Sequence, residues 1–293
     1  MKKVLFTSHT AKCSKSNRPF MMYSIVMAVY KKDRPEWFEQ AIESLLNQTI
    51  ISDDIVIIAD GPLTSQLDVV LRKYENEKSI LLIRLQKNQG LGNALNVGIK
   101  QTRNELIARM DSDDIAVLNR FELQVAEFNM NPELDILGGQ IAEFINNPDE
   151  IVAYRKVPTT HLEIKKFARR RSPFNHPTVM YKKSTIQRLG CYDMSAIRVE
   201  DYDLWLRALS QDAVCANLDV VLLNYRSTID AMKRRKTLTS LKNHIKARAR
   251  FYTKRYISLS DFLYGIATQT VLFIMPTGLA GAVFKKVVRN AKS

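Results

Sequence analysis

Cysteine is scarce in this chain. There are three in 293 residues, Cys13, Cys191 and Cys215, far apart and with no CxxC pair. That argues against a disulfide framework or a cysteine zinc site and for a reducing compartment. Acids are in deficit: 30 Asp and Glu against 44 Lys and Arg leave a formal charge of +14. Such an excess points to a polyanionic partner, either nucleic acid or an anionic membrane surface. No signal-peptide core is present, because Lys2-Lys3 is followed only by Val4-Leu5-Phe6, so secretion is not expected. Internal repeats and low-complexity tracts are missing too. What remains, 46% hydrophobic and 25% charged residues, is a globular balance with length enough for a large core.

The stretch Leu106-Ile-Ala-Arg-Met-Asp111-Ser-Asp113-Asp114 organises the rest. A short apolar run breaks into three carboxylates within four residues. The run reads as a buried strand. Its acids would stand at the strand's carboxyl end, where open α/β sheets bind ligands. Acids that close repel unless something positive lies between them. Hard oxygen ligands suit magnesium or manganese, which commonly bridge to phosphates. The alternative is a solvated turn in which Asp113 or Asp114 caps the next helix.

Residues 24–30, 55–59, 80–85 and 106–110 read as buried strands. Helical spacing fills 36–48, 67–74 and 94–102 between them. Alternation of this kind predicts βαβ units and a mostly parallel sheet flanked by helices. Further on, helices are expected over 121–130, 162–170, 184–189 and 199–209. Strands are expected over 136–144, with a glycine kink or bulge, over 220–226, and at the end of the loop 173–181. Residues 1–22 read as a disordered basic extension. Residues 231–256 carry ten Lys and Arg and no acid, and 259–284 is largely apolar but broken by Asp261, Gln269 and Pro276. Beside the basic run, that segment reads as re-entrant or interfacial at a membrane. The alternative is a solvated basic helix followed by a core helix.

Several pieces in one order carry a resemblance. They are residues 24–30, Glu43-Ser-Leu-Leu-Asn-Gln48, Ile57-Ile-Ala-Asp60-Gly61, Asn88-Gln-Gly90-Leu-Gly92-Asn93, Asp111-Ser-Asp113-Asp114 and Glu200-Asp201-Tyr-Asp-Leu-Trp205. Together they resemble a family 2 inverting glycosyltransferase of GT-A fold. The segment around Asn175-His176-Pro177, with Gly190-Cys-Tyr and Arg234-Arg235, is similar to a bacterial polysaccharide and O-antigen subgroup that includes amylovoran biosynthesis glycosyltransferases. The resemblance implies a GT-A domain over 23–228, with a nucleotide half at about 23–115 and an acceptor half at about 116–228. Residues 229–293 would form a helical, membrane-associating appendage.

It also implies the roles. Ala28, Tyr30, Asp60, Asn88, Gly90, Asn93 and Asp111 would hold the donor nucleotide. Asp113 would bind a divalent cation, Mn or Mg, that bridges the diphosphate. Asp201 would be the general base. Relatives carry two acids where this chain has Ala59-Asp60, so one nucleotide contact is in question. Glu200, Trp205, His176, Arg171, Arg226, Arg234 and Arg235 are candidates for acceptor or phosphate contacts, with core packing the alternative for Trp205. The implied reaction moves a hexose from a UDP-sugar, such as UDP-galactose, to an undecaprenyl-diphosphate-linked acceptor at the cytoplasmic face of the bacterial inner membrane. Two other readings are a basic nucleic-acid-binding protein and a non-catalytic sugar-nucleotide binder. The basic residues lie in the tail, away from any nucleic-acid motif, and no nucleic-acid partner is expected.

Overall fold

The structure is a computed structural model that describes residues 21–227 and 238–274. Four strands open it: β1 (Tyr23–Val29), β2 (Asp54–Ala59), β3 (Ile80–Arg84) and β4 (Leu106–Asp111). They pair in parallel in the order β3-β2-β1-β4. Helices α1 (Pro35–Leu46), α2 (Ser65–Lys73) and α3 (Leu91–Gln101) make the crossovers. Pro35 opens α1, where a missing N–H costs nothing.

The second half is built differently. β5 (Ile115–Ala116) and α4 (Arg120–Met130) precede β6 (Ile136–Phe144) and β7 (Ala153–Arg155). Then come α5 (His161–Ala168), a 3-10 turn (His176–Thr178), β8 (Met180–Lys182), α6 (Lys183–Arg188), α7 (Glu200–Ser210) and β9 (Cys215–Arg226). The sheet continues β4-β8-β6-β9-β5, with β7 on β6. β8 runs antiparallel to β4 and to β6. The parallel expectation therefore holds for the first half, and the whole sheet is mixed. The glycine irregularity sits in β6, whose pairing with β9 shifts register at Gly139–Gln140 and again at Gln140–Ile141.

Period-two alternation along each strand sorts side chains onto two faces. One core holds Val26, Ile58 and Ile107 with α3 and with Leu204 and Trp205 of α7. The other holds Ile25, Ile57 and Leu106 with Phe38 of α1, Leu67 of α2 and Phe121 of α4. Ile107, Arg109 and Asp111 alternate with Leu106, Ala108 and Met110, so Arg109 and Asp111 share the face on which α7 packs.

Two more helices follow, α8 (Leu238–Thr253) and α9 (Leu259–Ile274). They fasten to the domain by apolar packing, with Ala247 and Phe251 in the core beside Tyr202, and by polar contacts. Arg248 donates to the carbonyls of Arg169 (2.9 Å) and Arg170. Asp261 pairs with Arg170 at 3.3 Å. Among the described residues no helix is long and apolar enough to cross a membrane. In the described part of 259–284, Asp261 pairs with Arg170 of the domain and Gly265 lies against Arg248 of α8; the remainder lies outside the described residues, as do Arg234, Arg235 and residues 1–20.

Candidate active site

The site forms where the parallel strands end. Ala28 stands opposite Asp111, and Val29 opposite Ala59. Tyr30, Asp60 and the Asp111–Asp114 turn therefore leave the sheet along one edge. This is the edge the sequence pattern implies for ligand binding.

Asp60 is buried, and its carboxylate is already engaged. It accepts from the Gln89 amide (2.7 Å), the Gly90 amide (3.0 Å) and Asn88 Nδ2 (2.9 Å). Its contribution visible here is to shape the loop before α3. Gly90 has φ +87° and Gly61 φ +88°, a region that L side chains avoid. Asn93, in the first turn of α3, is half-buried at the same edge.

Asp111, Asp113 and Asp114 carry ligand oxygens that all lie within 4.8 Å of one another. None caps the next helix, because α4 begins at Arg120 behind Asn119. Asp114 is fully buried; one oxygen accepts from the Arg226 amide at 2.8 Å, and Oδ2 has no partner among the described residues. Burial, then the neighbouring Asp111 and Asp33, pushes Asp113 up to about 7. Asp114 is raised by burial, Asp113 and Asp111. An array of acids that suppress each other's ionisation, with an orphaned buried oxygen, fits a divalent cation.

Residues outside the sequence candidates complete the cluster. Asp33, in the loop after β1, accepts from Ser112 Oγ (2.8 Å) and the Tyr30 amide (3.0 Å); burial lifts it to about 6. Arg109 is buried and forks onto Asp111. Its only advance signal is a cation inside an otherwise apolar strand, which needs a partner. Asp33 gives no comparable signal in a polar loop.

Asp201 lies in the first turn of α7 and is half-buried. Burial raises its pKa, while the Tyr202 amide and Arg109 pull it back and Asp111 raises it. Glu200 is likewise raised by burial. Asp201 and Asp111 line one cavity of ≈ 390 Å³, together with His176, Arg171 and Arg155. That volume suits a small polar ligand. His176 bonds Tyr192 Oη through Nε2 (2.8 Å), and burial and Arg109 hold its pKa well below the usual histidine range.

Two candidates are placed elsewhere. Trp205 is fully buried, edge-on to Phe174 at 5.1 Å and to His176 at 5.9 Å, so it supports the cavity from the core. Arg226 is buried between Trp37 and Phe144, with Nε donating to the Asp113 carbonyl (3.0 Å) and Nη2 to Gln40 (2.6 Å). Its guanidinium braces the acidic turn and is not presented to a phosphate.

A sequence profile described as "Glycosyl transferase family 2" matches residues 24–204. The chain is 38% identical over 268 residues to the Escherichia coli UDP-Gal:alpha-D-GlcNAc-diphosphoundecaprenol beta-1,3-galactosyltransferase, covering 92% of this chain and 97% of that one. It is 33% identical to the amylovoran biosynthesis glycosyltransferase AmsE of Erwinia amylovora, over 90% and 98% of the two. Among solved structures, S. aureus TarS 1-349 in complex with UDP-GlcNAc superposes with a TM-score of 0.61 at 16% identity, over 92% of this chain and 77% of that one. The mannosyltransferase PcManGT from Pyrobaculum calidifontis gives 0.60 at 12% identity, over 92% and 83%. At such identities the likeness is one of fold.

Proposed function

This chain belongs to glycosyl transferase family 2 and is a glycosyltransferase of GT-A fold, and from that premise we propose that it moves galactose from UDP to an N-acetylglucosamine carried on a polyprenyl diphosphate, in surface polysaccharide synthesis. One observation carries the reading: Asp111 of the acidic turn and Asp201 of α7 line the same cavity. Nucleotide-side and acceptor-side carboxylates thus face one volume, as a single displacement requires.

In this reading Ala28, Tyr30, Asn88, Gly90, Asn93 and Asp111 border the nucleotide, with Asp60 holding their loop in shape. Asp113, with Asp111 and Asp114 beside it, is the seat for Mn or Mg. When bound, such an ion supplies Lewis-acid stabilisation of the departing diphosphate. Asp201 accepts the proton of the acceptor hydroxyl as that oxygen bonds to the anomeric carbon from the face opposite the nucleotide. The configuration therefore inverts. A raised pKa makes Asp201 a stronger base than a free carboxylate. Glu200 and His176 border the acceptor; neutral His176 fixes Tyr192 and adds no charge.

The acceptor is a lipid, and α9 offers a place for it to arrive. Leu259, Leu263, Val271 and Ile274 are exposed at near-helical spacing on one side. In sequence the acid-free segment 231–256 comes just before them. Together they support peripheral attachment to the anionic cytoplasmic face of the inner membrane. The test is transfer from radiolabelled UDP-sugars, with Mn, to synthetic N-acetylglucosamine-diphosphate lipid. A β-linked disaccharide and released UDP support the reading. No product with any UDP-hexose overturns it.

A further inference from the structure

The cavity lining carries both acids and cations. Asp111 and Asp201 are its acids. Arg155, at the end of β7, with Lys156 beside it and Arg171 in the loop after α5, makes a basic wall, and Arg109 lines the cavity as well. Phe167, Phe174 and Tyr225 belong to the same lining.

The cations are only partly compensated. Arg155 pairs with buried Glu143 at 3.1 Å and sits 4.9 Å from the centre of the Tyr225 ring. Arg171 lies 5.0 Å from the Phe167 ring centre. Among the described residues no carboxylate offsets it: burial and then Arg155 lower its pKa, and Tyr264 and Tyr202 oppose this. Among the described residues, one acid, Glu143, pairs with these three cations, which leaves the wall with an excess of positive charge. Two guanidiniums that repel each other across a cleft are relieved by an anion between them, and their forks match phosphate oxygens.

Which anion follows from where the wall is attached. The donor edge is formed by Tyr30, Asp60 and the acidic turn, where a cation would offset the donor's charge. Arg155 and Arg171 come from other elements. The loop that carries Arg171 is also tied to the C-terminal helices. Arg248 of α8 holds the carbonyls of Arg169 and Arg170, Asp261 of α9 pairs with Arg170, and Arg170 lies 4.4 Å from the Tyr264 ring centre. The same α9 carries the exposed apolar row on its outer side. The basic wall thus shares the cavity of the carboxylate that would meet an acceptor hydroxyl, and its loop is tied to the helices that would meet a lipid.

We propose that Arg155 and Arg171, assisted by Lys156, form the subsite for the acceptor's diphosphate and so make the enzyme select lipid-diphosphate acceptors over neutral glycosides. This rests on the lipid-linked acceptor reading above. The diphosphate is held at one end of the cavity while the sugar's hydroxyl reaches Asp201 at the other.

The experiment uses the full-length protein and two synthetic acceptors with the same alkyl chain. In one, N-acetylglucosamine is joined through a diphosphate; in the other it is joined directly. Arg171→Gln and Arg155→Gln are compared with wild type, and Arg171→Lys serves as the conservative variant. The expected result is a rise of about tenfold or more in KM for the diphosphate acceptor, the loss that removing a charged hydrogen-bond donor brings. KM for the UDP-sugar should stay within about twofold, the wild-type preference between the acceptors should collapse, and Arg171→Lys should be partly rescued. Equal losses on both acceptors, a matching loss for UDP-sugar, or no change would overturn the proposal. Calorimetric titration of the diphosphate acceptor into the UDP-loaded, Mn-supplemented protein reads the subsite without turnover. Binding that Arg171→Gln abolishes supports the subsite even if no donor reacts, in which case the transfer reading alone fails. No binding to wild type overturns the subsite.

Discussion

Arg109 forks onto Asp111, two residues along the same strand and on the same face of it, from a position almost wholly buried. It is the counter-charge of the site. The same guanidinium lowers the pKa of Asp201, Glu200, Asp113 and Asp114 and that of His176. Arg109→Met keeps the volume and removes the charge. Breaking a buried ion pair on one side costs roughly 3 kcal/mol, so the melting temperature should fall by several degrees while the circular dichroism spectrum is retained. Turnover should drop by about a hundredfold, because Asp111 loses its orientation. The acid limb of the pH–rate profile should also move to higher pH as Asp201 ionises later. A wild-type profile in a folded Arg109→Met protein would remove Arg109 from the electrostatics of the site.

Asp201→Asn tests the base. Amide and carboxylate are nearly isosteric, and among the described residues Asp201 makes no side-chain ion pair that the change would break. General-base assistance contributes about a hundredfold to ten-thousandfold. The variant should therefore lose about three orders of magnitude in kcat with its UDP affinity intact, measured by steady-state kinetics and UDP titration. If kcat stays within a factor of about three, the proton goes elsewhere, and Glu200 becomes the residue to replace next.

The acidic turn sets the response to pH and to metal. Asp33 and Asp113 stand at about 6 and about 7 in the fold against an ordinary 3.8. Both pKa values are raised, so the fold favours the protonated acids. The stability they contribute is full below about pH 4 and is lost as pH rises through 6 and 7. In EDTA the melting temperature should fall between about pH 5 and pH 7.5. Excess Mn should cancel that fall, since a bound cation holds the acids in their ionised form. Asp113→Asn should flatten the EDTA curve and abolish the Mn effect. A melting temperature that rises over this window in EDTA would contradict the assignment.

How much of this was legible in the sequence depends on length and partner. The parallel half was readable because residues 55–59 are an uninterrupted apolar run and 106–110 one broken only by Arg109, each followed by turn residues, and such runs suit a sheet covered on both faces. β5 and β7, of two and three residues, carry no periodicity and exist through their pairing with β9 and β6. Asp111, Asp113 and Asp201 stand in ordered motifs, and the structure sets Asp111 and Asp201 on one cavity. Arg155 and Asp33 come from stretches with no motif at all. Trp205 and Arg226 were readable as residue types suited to a site, yet only tertiary packing shows that both are spent inside the fold.

Two glycines with the same backbone sign should respond differently to alanine. Gly61 and Gly90 both have φ near +88°, so either alanine is strained by about 1 kcal/mol. A Cβ on Gly61 would also lie 2.5 Å from the Asn88 amide nitrogen, whereas a Cβ on Gly90 meets nothing within 4 Å. Gly61→Ala must push the 88–90 loop away from Asp60, and Gly90→Ala need not. The first should melt several degrees lower and bind UDP about tenfold more weakly. The second should show only the smaller stability loss. Thermal melts with UDP titrations decide it, and equal effects would mean that the two loops move independently.

Asp203 ties the catalytic helix to the C-terminal pair. It is fully buried on α7, two residues from Asp201, and pairs with Arg207 at 2.7 Å and with Arg250 of α8 at 3.3 Å. Arg250 also reaches Asp193, whose pKa is held down at about 2 by hydrogen bonds from the Ser195 hydroxyl and amide and then by Arg250. Removing Arg250 should leave Arg207 to neutralise Asp203, so Arg250→Ala should keep the domain folded while loosening α8. Amide exchange in α8 and α9 should then rise by at least tenfold, with the protection of β1 and β4 unchanged. Asp203→Asn should be worse, because it leaves Arg207 without its carboxylate in a buried position and takes one of two from Arg250, at a cost of roughly 3 kcal/mol. Since Arg248 and Asp261 fix the loop that bears Arg171, loosening α8 should also weaken lipid-diphosphate acceptors without touching UDP binding. Exchange that rises uniformly across the chain in Arg250→Ala would show instead that the helices are part of one cooperative core.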